Sequence, residues 1–244
     1  MKEFGLIGYP LGHSFSKKYF TEKFEKEGIV DCHYELFPIP SITGLPHLLA
    51  DHPGLVGLNV TIPYKQQVIP FLHHSEAIPA AVGACNCIKI IDGQLWGFNT
   101  DIVGFQKSFS TLLQPHHTSA LVLGNGGAAA AVIFVLGQMG IAYKTVSRQP
   151  QNALQLSYKD LTPALLADYS IIINTTPLGT YPNVQECPAL PYEAISSRHY
   201  LFDLVYNPEK TLFLQKGEAQ GAIIQNGYPM LVQQAEEAWR IWNK

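Results

Sequence analysis

The chain has 244 residues, 47% of them hydrophobic and 14% charged, with a formal net charge of −3. That length suits one large or two modest domains, each with its own core, and the charge balance gives no footing for nucleic acid. No window approaches the ~18 consecutive apolar residues of a membrane span, and the apolar run near the N-terminus is too short for a signal peptide.

Phe4–Gly8 reads as a short apolar strand, and Tyr9-Pro10-Leu11-Gly12 is loop chemistry. Tyr19, Phe20 and Phe24 then recur at helical period, and Ser14 or Ser16 can serve as the N-cap of that helix. His33–Ile39 reads as a second strand and Ile42–Ala50 as a second helix. Leu55–Ile62 alternates apolar with small or polar residues and ends in β-branched ones, a strand that Pro63 should stop. A short helix follows from Tyr64 to Leu72, which Pro70 must shorten or distort. Asn59, Thr61 and Lys65 would then gather at the carboxyl end of a strand, where open α/β sheets bind their ligands. An amide, a hydroxyl and an ammonium there suit a substrate rich in hydroxyls. A plain strand, turn and solvated lysine would read the same way.

Cys85 and Cys87 alternate in an apolar segment, and the four cysteines include no second pair at zinc-ligand spacing. This predicts a reduced cytoplasmic protein without a disulfide framework or structural zinc. The histidine pairs His73-His74 and His116-His117 fall near expected helix ends, so no metal site is expected. Cys87–Ile91 and Gln94–Phe98 are strand-like runs around Asp92-Gly93, a strong hairpin signal. Polar clusters flank the hairpin: Gly83-Ala84-Cys85-Asn86 before it and Gly97-Phe98-Asn99-Thr100-Asp101 after it. Asp101 can N-cap the helix expected over Ile102–Leu113, the usual job of such an aspartate. A domain boundary falls there or in the irregular stretch Gln114–Ser119.

Ala120-Leu121-Val122-Leu123 is an apolar strand feeding Gly124-Asn125-Gly126-Gly127-Ala128-Ala129, with an Ala-rich helix behind it. This is the dinucleotide fingerprint in its proper strand–turn–helix context. Gly124 makes the tight turn, Gly126 admits a pyrophosphate to the backbone, and the small Ala129 permits close helix–strand packing. Gly127 and Ala128 open the helix, whose N–H groups and dipole would face the phosphates. The next strand, Ala142–Val146, ends at Ser147-Arg148. An arginine in place of the usual acidic residue fits a ribose 2′-phosphate, hence NADP, although an exposed loop arginine is the bland alternative. Further strands are read at Ser170–Asn174, opening into Thr175-Thr176-Pro177, at Tyr200–Tyr206 and at Ala222–Gln225, with a helix from about Lys210 to Ala219. This alternation predicts a parallel, helix-covered sheet. Met230–Trp242 is an amphipathic terminal helix.

A hydride carrier needs a partner that moves a proton at the substrate oxygen. Lys65 can do this if Asp101 lies beside it and holds the ammonium. Ser14, Ser16, Asn59, Thr61, Asn86 and Asn99 can match substrate hydroxyls.

The same residues carry a resemblance. His13-Ser14-Phe15-Ser16, Asn59-Val60-Thr61-Ile62-Pro63-Tyr64-Lys65, Gly83-Ala84-Cys85-Asn86 and Asn99-Thr100-Asp101-Ile102-Val103-Gly104-Phe105 resemble the shikimate dehydrogenase family. So do Asn174-Thr175-Thr176-Pro177-Leu178-Gly179, Asp203-Leu204-Val205-Tyr206-Asn207-Pro208 and Met230-Leu231-Val232-Gln233-Gln234-Ala235. The resemblance implies an α/β protein of two domains with a cleft between them. One is a mostly parallel substrate domain, residues 1–101 completed by 226–244, and the other a Rossmann-like NADP-binding domain, residues 102–225. It implies NADPH-dependent reduction of 3-dehydroshikimate to shikimate, a step toward chorismate and the aromatic amino acids. By resemblance Lys65 and Asp101 are the catalytic pair. Ser14, Ser16, Thr61, Asn86 and Gln234 hold the substrate, with Tyr206 beside it. Gly124, Gly126, Gly127, Ala128, Arg148 and Thr175 serve the cofactor, and Gly227 lies near the nicotinamide. The expected partners are small molecules, without nucleic acid or membrane, for a cytoplasmic monomer or homodimer.

The chain departs from the family pattern at Lys17, where proline is usual, at Cys87 in place of threonine, and at Thr180 in place of a methionine. The alternatives are a quinate/shikimate dehydrogenase using NAD and a silent ligand-sensing module on the same fold. Retention of both Lys65 and Asp101 speaks against the module.

Overall fold

The computed structural model describes residues 1–12, 14–152 and 155–244, so His13 of the serine motif lies outside the described residues. The chain divides into two compact units, Met1–Thr100 with Ala235–Lys244, and Asp101–Gln234.

The first unit contains β1 (Lys2–Gly8), α1 (Phe15–Glu27), β2 (Cys32–Pro38), α2 (Leu45–Asp51), β3 (Leu55–Val60), α3 (Tyr64–Gln67), β4 (Cys87–Ile91) and β5 (Gln94–Phe98). The sheet order is β2-β1-β3-β4-β5. β1 runs parallel to both its neighbours, whereas β3, β4 and β5 pair antiparallel through the hairpin at Asp92-Gly93. Asp92 and Gly93 both take positive φ there, the geometry for which the pair was read as a turn. One face of the sheet carries Phe4 and Leu6 against Phe20 and Phe24 of α1 and against Ala235, Ala238, Ile241 and Trp242 of the C-terminus. The other carries Ile7, Leu58 and Val60 against Leu45 and Leu48 of α2 and against Tyr64. Gly57 is required where the C-terminus closes down: a Cβ there would stand 2.5 Å from the Trp242 indole, whose Nε1 donates to the Ile88 carbonyl at 2.9 Å.

Two expected helices are broken by proline. The helix read over Tyr64–Leu72 ends at Gln67 and gives way to a 3-10 turn, Ile69–Phe71, around Pro70. The helix read over Ile42–Ala50 is a 3-10 turn, Ile42–Gly44, followed by α2 with Pro46 in its first turn.

The second unit begins in α4 (Thr100–Ser110) and continues through β6 (Ser119–Leu123), α5 (Gly127–Gln138), β7 (Ala142–Ser147), β8 (Gln155–Ser157), α6 (Pro163–Ala167), β9 (Ile171–Asn174), β10 (Tyr200–Asp203), α7 (Leu212–Ala219), β11 (Ile223–Gln225) and the start of α8 (Tyr228–Trp242). Its six strands are all parallel, in the order β11-β10-β9-β6-β7-β8. Counted from β6, that is the doubly wound order 3-2-1-4-5-6, whose switch point lies between β6 and β9. Alternation along buried strands feeds two cores. Ala120, Val122, Ile171, Ile173, Tyr200 and Phe202 face Phe105, Phe109 and Val132, while Leu121, Leu123, Ile172 and Leu201 face Leu166, Phe213 and Leu214.

Some boundaries move. The expected helix from Lys210 starts at Leu212, because the Thr211 hydroxyl accepts from the Leu214 amide as its N-cap. β8 and α6 lie in a stretch whose polar, proline-bearing sequence gave no periodic signal. The sequence reading ended the second domain at 225. The compact unit runs on to Gln234, because Met230 sits in its core and the Gly227 amide donates to the Val205 carbonyl at 3.1 Å. Among the described residues no helix is long and apolar enough to cross a membrane.

Candidate active site

In the first unit, strand register assembles the polar cluster. Asn59 pairs with Cys87 across β3 and β4, and Cys87 pairs with Phe98 across β4 and β5. The residues flanking this row, Asn86, Asn99 and Thr100, are therefore brought to one end of the sheet with Asn59. Backbone bonds tie them together: Val60 N–H donates to Asn86 O at 2.9 Å and Asn86 N–H to Phe98 O at 3.1 Å. Lys65, half-buried on α3, has its carbonyl fixed by the Cys85 amide at 2.7 Å. Burial pushes the Cys85 thiol up to about 11, an effect the Lys65 charge opposes.

Asn86 is 3% exposed and clamps Thr100. Its Oδ1 accepts from the Thr100 amide at 2.6 Å, and its Nδ2 lies 3.1 Å from Thr100 Oγ1. Thr100 opens α4, so Asp101 sits inside the first turn. It does not act as the N-cap expected from the sequence; the helix starts a residue earlier because Asn86 takes the Thr100 amide. A carboxylate there still complements the positive end of the helix dipole.

Asn59 is buried in the same cluster. Read as a ligand for substrate hydroxyls, it is 4% exposed and turned inward. Its Oδ1 accepts from the Tyr34 hydroxyl at 2.8 Å and its Nδ2 donates to Asn86 O at 3.3 Å. Burial holds the Tyr34 phenol well above its ordinary range, with a hydrogen bond from Ser16 acting against that. Ser16, Tyr34, Asn59, Asn86 and Thr100 thus form one connected chain of hydrogen bonds. Ser14 caps α1, accepting from the Lys17 amide at 3.4 Å, so the cap read as its bland role is filled. Thr61 stands just past β3, its amide bonded to Ile7 O at 3.0 Å.

In the second unit, Asp101 and Gln234 lie on helices that touch. A Cβ at Gly104, one turn beyond Asp101, would stand 2.8 Å from Met230 O and 2.9 Å from Gln234 Cβ. Only glycine allows α4 and α8 to approach so closely. Sequence reasoning quoted Gly104 without seeing this function.

The glycine loop has the expected division of labour. Gly124 has φ 112°, and an added Cβ would lie 2.6 Å from Thr175 Oγ1. Gly126 and Gly127 are exposed, and among the described residues a Cβ on either meets no atom within 4 Å. No side chain caps α5, so its first N–H groups and those of exposed Ala128 are available to an anion. Ala129 is 1% exposed and packs into the core. Thr175 stands across the switch point, its amide and hydroxyl both donating to Leu123 O, at 3.0 and 2.7 Å. Arg148 is exposed after β7, and its charge lowers the neighbouring Tyr158 phenol against the rise that burial causes. Tyr158, in a 3-10 turn after β8, was not read as part of this edge.

Tyr206 is 38% exposed. Gly227 runs backbone to backbone past Leu204, two residues before Tyr206, with no room for a Cβ. The group missed most plainly is Asp203, 0% exposed at the end of β10. Its Oδ1 accepts from Asn174 Nδ2 at 2.9 Å and from the Val205 amide at 3.0 Å, and its Oδ2 from the Thr211 hydroxyl at 2.5 Å. Burial pushes its carboxyl up to about 6, the three hydrogen bonds acting in the other direction. The histidine pairs have local roles: His73 Nδ1 accepts from the Leu95 amide, His74 stacks on Trp96, and His117 Nδ1 accepts from the Gln114 amide.

Residues 6–88 match the family model of the shikimate dehydrogenase substrate binding domain. A shikimate dehydrogenase (NADP(+)) from Nostoc sp. is 36% identical over 263 residues, covering 99% of this chain and 90% of the relative. This chain belongs to the shikimate dehydrogenase family. Solved structures of the family agree. The chorismate mutase/shikimate 5-dehydrogenase fusion protein from Clostridium acetobutylicum superposes with a TM-score of 0.87 at 36% identity, covering 99% of this chain and 90% of that one. The shikimate 5-dehydrogenase from Thermus thermophilus, in complex with NADP(H) and shikimate, also has a TM-score of 0.87, at 31% identity, covering 99% of this chain and 93% of that one. The two-domain α/β fold of this family is the fold described above.

Proposed function

We propose that this chain is an NADP-dependent shikimate dehydrogenase that reversibly reduces 3-dehydroshikimate to shikimate, a step toward chorismate and the aromatic amino acids. The observation that carries the reading is the hydrogen-bonded framework of the first unit. It fixes the Lys65 backbone through Cys85 and, one residue on, fixes Thr100, the residue before Asp101, through Asn86. A lysine and an aspartate far apart in sequence are thereby anchored by adjacent residues of one strand entry.

NADPH, when bound, supplies the hydride that reaches the carbonyl carbon. The ammonium of Lys65 hydrogen-bonds the carbonyl oxygen and delivers the proton as that oxygen becomes a hydroxyl, and takes it back in the reverse direction. Asp101 orients that ammonium. Ser14, Ser16, Asn59, Thr61, Asn86, Tyr206 and Gln234 hold the carboxylate and hydroxyls of the substrate, and Asn59 also keeps Asn86 in place. Gly124 makes the tight turn, its own amide held by the Val146 carbonyl at 2.8 Å, while Gly126, Gly127 and Ala128 would offer backbone N–H groups to the pyrophosphate; Thr175 closes the switch point, Gly227 would border the nicotinamide, and Arg148 would meet the 2′-phosphate. The enzyme works on small molecules as a monomer or homodimer in the cytoplasm, a reducing setting that suits its four free thiols.

The test is NADPH oxidation with 3-dehydroshikimate, run with NADH beside it and in reverse with shikimate and with quinate. Turnover of 3-dehydroshikimate with NADPH, and little with quinate, is the expected result. Binding of NADPH without turnover would replace the enzyme with a ligand-sensing module.

A further inference from the structure

Two loops leave the carboxyl edge of the second unit's sheet, one after β9 with Thr175 and one after β10 with Tyr206. Both are tied to one buried carboxylate. From Asp203 Oδ1 the first path runs to Asn174 Nδ2, and Asn174 Oδ1 in turn accepts from the Thr176 amide at 3.1 Å and the Thr176 hydroxyl at 2.6 Å. Thr176 Oγ1 then accepts from the Leu178 amide at 3.3 Å. The second path is the bond from the Val205 amide, the residue before Tyr206, to the same Oδ1. A third, the Thr211 hydroxyl on Oδ2, fixes the start of α7. All three donors are neutral, so the carboxylate is held by geometry and not by a cation. The first path reaches further: Thr175 is the residue that a side chain on Gly124 would strike, so its position sets the room at the glycine turn.

We propose that Asp203 is a positioning residue for the reaction, holding the cofactor-side loop 175–179 and the substrate-side loop 204–208 in register from a single buried carboxylate. This rests on the dehydrogenase reading above. It requires that changes at Asp203 act on both ligands together, whereas changes further along one path act on one ligand.

The test compares Asp203→Ala, Asp203→Asn and Thr176→Val. Asp203→Ala removes all three acceptor bonds, so the Michaelis constants for NADPH and 3-dehydroshikimate should both rise about tenfold, with kcat changing less. Asp203→Asn should keep both within about threefold, because its oxygen can take Asn174 and Val205 while its amide nitrogen donates to a rotated Thr211 hydroxyl. Thr176→Val removes the two hydrogen bonds of the Thr176 hydroxyl, to Asn174 and from Leu178, so it should raise the constant for NADPH several-fold and leave that for 3-dehydroshikimate unchanged. Amide hydrogen exchange at Thr176, Leu178 and Val205 should quicken in Asp203→Ala and stay as in the parent in Asp203→Asn. A folded Asp203→Ala with both constants and exchange unchanged overturns the proposal, as does an Asp203→Asn as damaged as the alanine variant. If Asp203→Ala does not fold, Thr176→Val decides: a rise for NADPH alone supports the proposal, and no change or an equal rise for both ligands overturns it. A parent protein with no turnover would sink the dehydrogenase reading, while the exchange measurements would still test the anchor.

Discussion

At the carboxyl end of its sheet the first unit presents side chains, and the second unit presents backbone. In the first, Ser16, Tyr34, Asn59, Asn86 and Thr100 are locked to one another, a framework on which the proposed reacting groups would sit before any ligand arrives. In the second, Gly126 and Gly127 carry no side chain into the open space before α5, and the first N–H groups of that helix have no side-chain cap among the described residues. The contrast follows the chemistry. A carbonyl being reduced needs a proton donor at one place, whereas a pyrophosphate needs several donors of modest strength around a curved surface.

Removing the one proton donor should therefore have the largest effect. A positioned acid–base group contributes ~10²–10⁴-fold to rate. Lys65→Ala should lower kcat by about that factor and move the Michaelis constant for 3-dehydroshikimate much less, because the Asn86 clamp does not depend on the lysine side chain. Activity within about threefold of the parent would end the assignment of Lys65.

In the backbone-built unit, single changes should divide into those that strain the turn and those that block the ligand. Gly124→Ala places a side chain at φ 112° and 2.6 Å from Thr175 Oγ1, so it should cost about 2 kcal/mol or more. At about 2–4 °C per kcal/mol for a chain of this size, the melting temperature should fall by at least several degrees. Gly126→Ala has an ordinary φ of −81° and free space around it. Its melting temperature should stay where it is, while NADPH affinity drops about tenfold as the methyl meets the pyrophosphate. Equal melting temperatures for the two variants would mean the turn is not strained as described.

These differences explain what the sequence made legible. The glycine fingerprint could be read because strand, turn and helix are contiguous, although Thr175, which sets the room at Gly124, lies far along the chain. Lys65 and Asp101 stood out as chemistry, but the reasons they are held could not be read. The clamp of Asn86 on Thr100 spans 14 residues and depends on hairpin register, and the bond from Tyr34 to Asn59 joins different strands. The same lack of local signal hides the Tyr34 partner of Asn59: an asparagine at a strand end looks alike in sequence whether it faces solvent or a buried tyrosine. Asp203 stands in a recognisable motif, but its anchoring role has no local signal, because its partners Asn174 and Thr211 lie 29 and 8 residues away. Proline, in contrast, was legible in kind but not in consequence; Pro70 was seen to disturb a helix, and the structure shows a change to a 3-10 turn.

The smallest expected effect tests the side chain proposed to meet the cofactor's 2′-phosphate. Arg148 is exposed at the end of β7, beside the Tyr158 phenol that its charge lowers. If its guanidinium meets the 2′-phosphate, the contact is charge-assisted, and such contacts are worth roughly 1.5–3 kcal/mol. Exposure places it at the lower end, about tenfold in preference for NADPH over NADH. Arg148→Ala should raise the Michaelis constant for NADPH by about that factor and leave the constant for NADH within about twofold, because NADH has no phosphate there to lose. Added salt should narrow the gap between the two cofactors in the parent, since a contact open to solvent is screened, and should do little in the variant. Equal losses for both cofactors would instead mean that Arg148 supports the edge of the sheet against Tyr158. A parent enzyme using NADH as well as NADPH would remove the phosphate from the account altogether, leaving the glycine loop to bind the dinucleotide by its backbone alone.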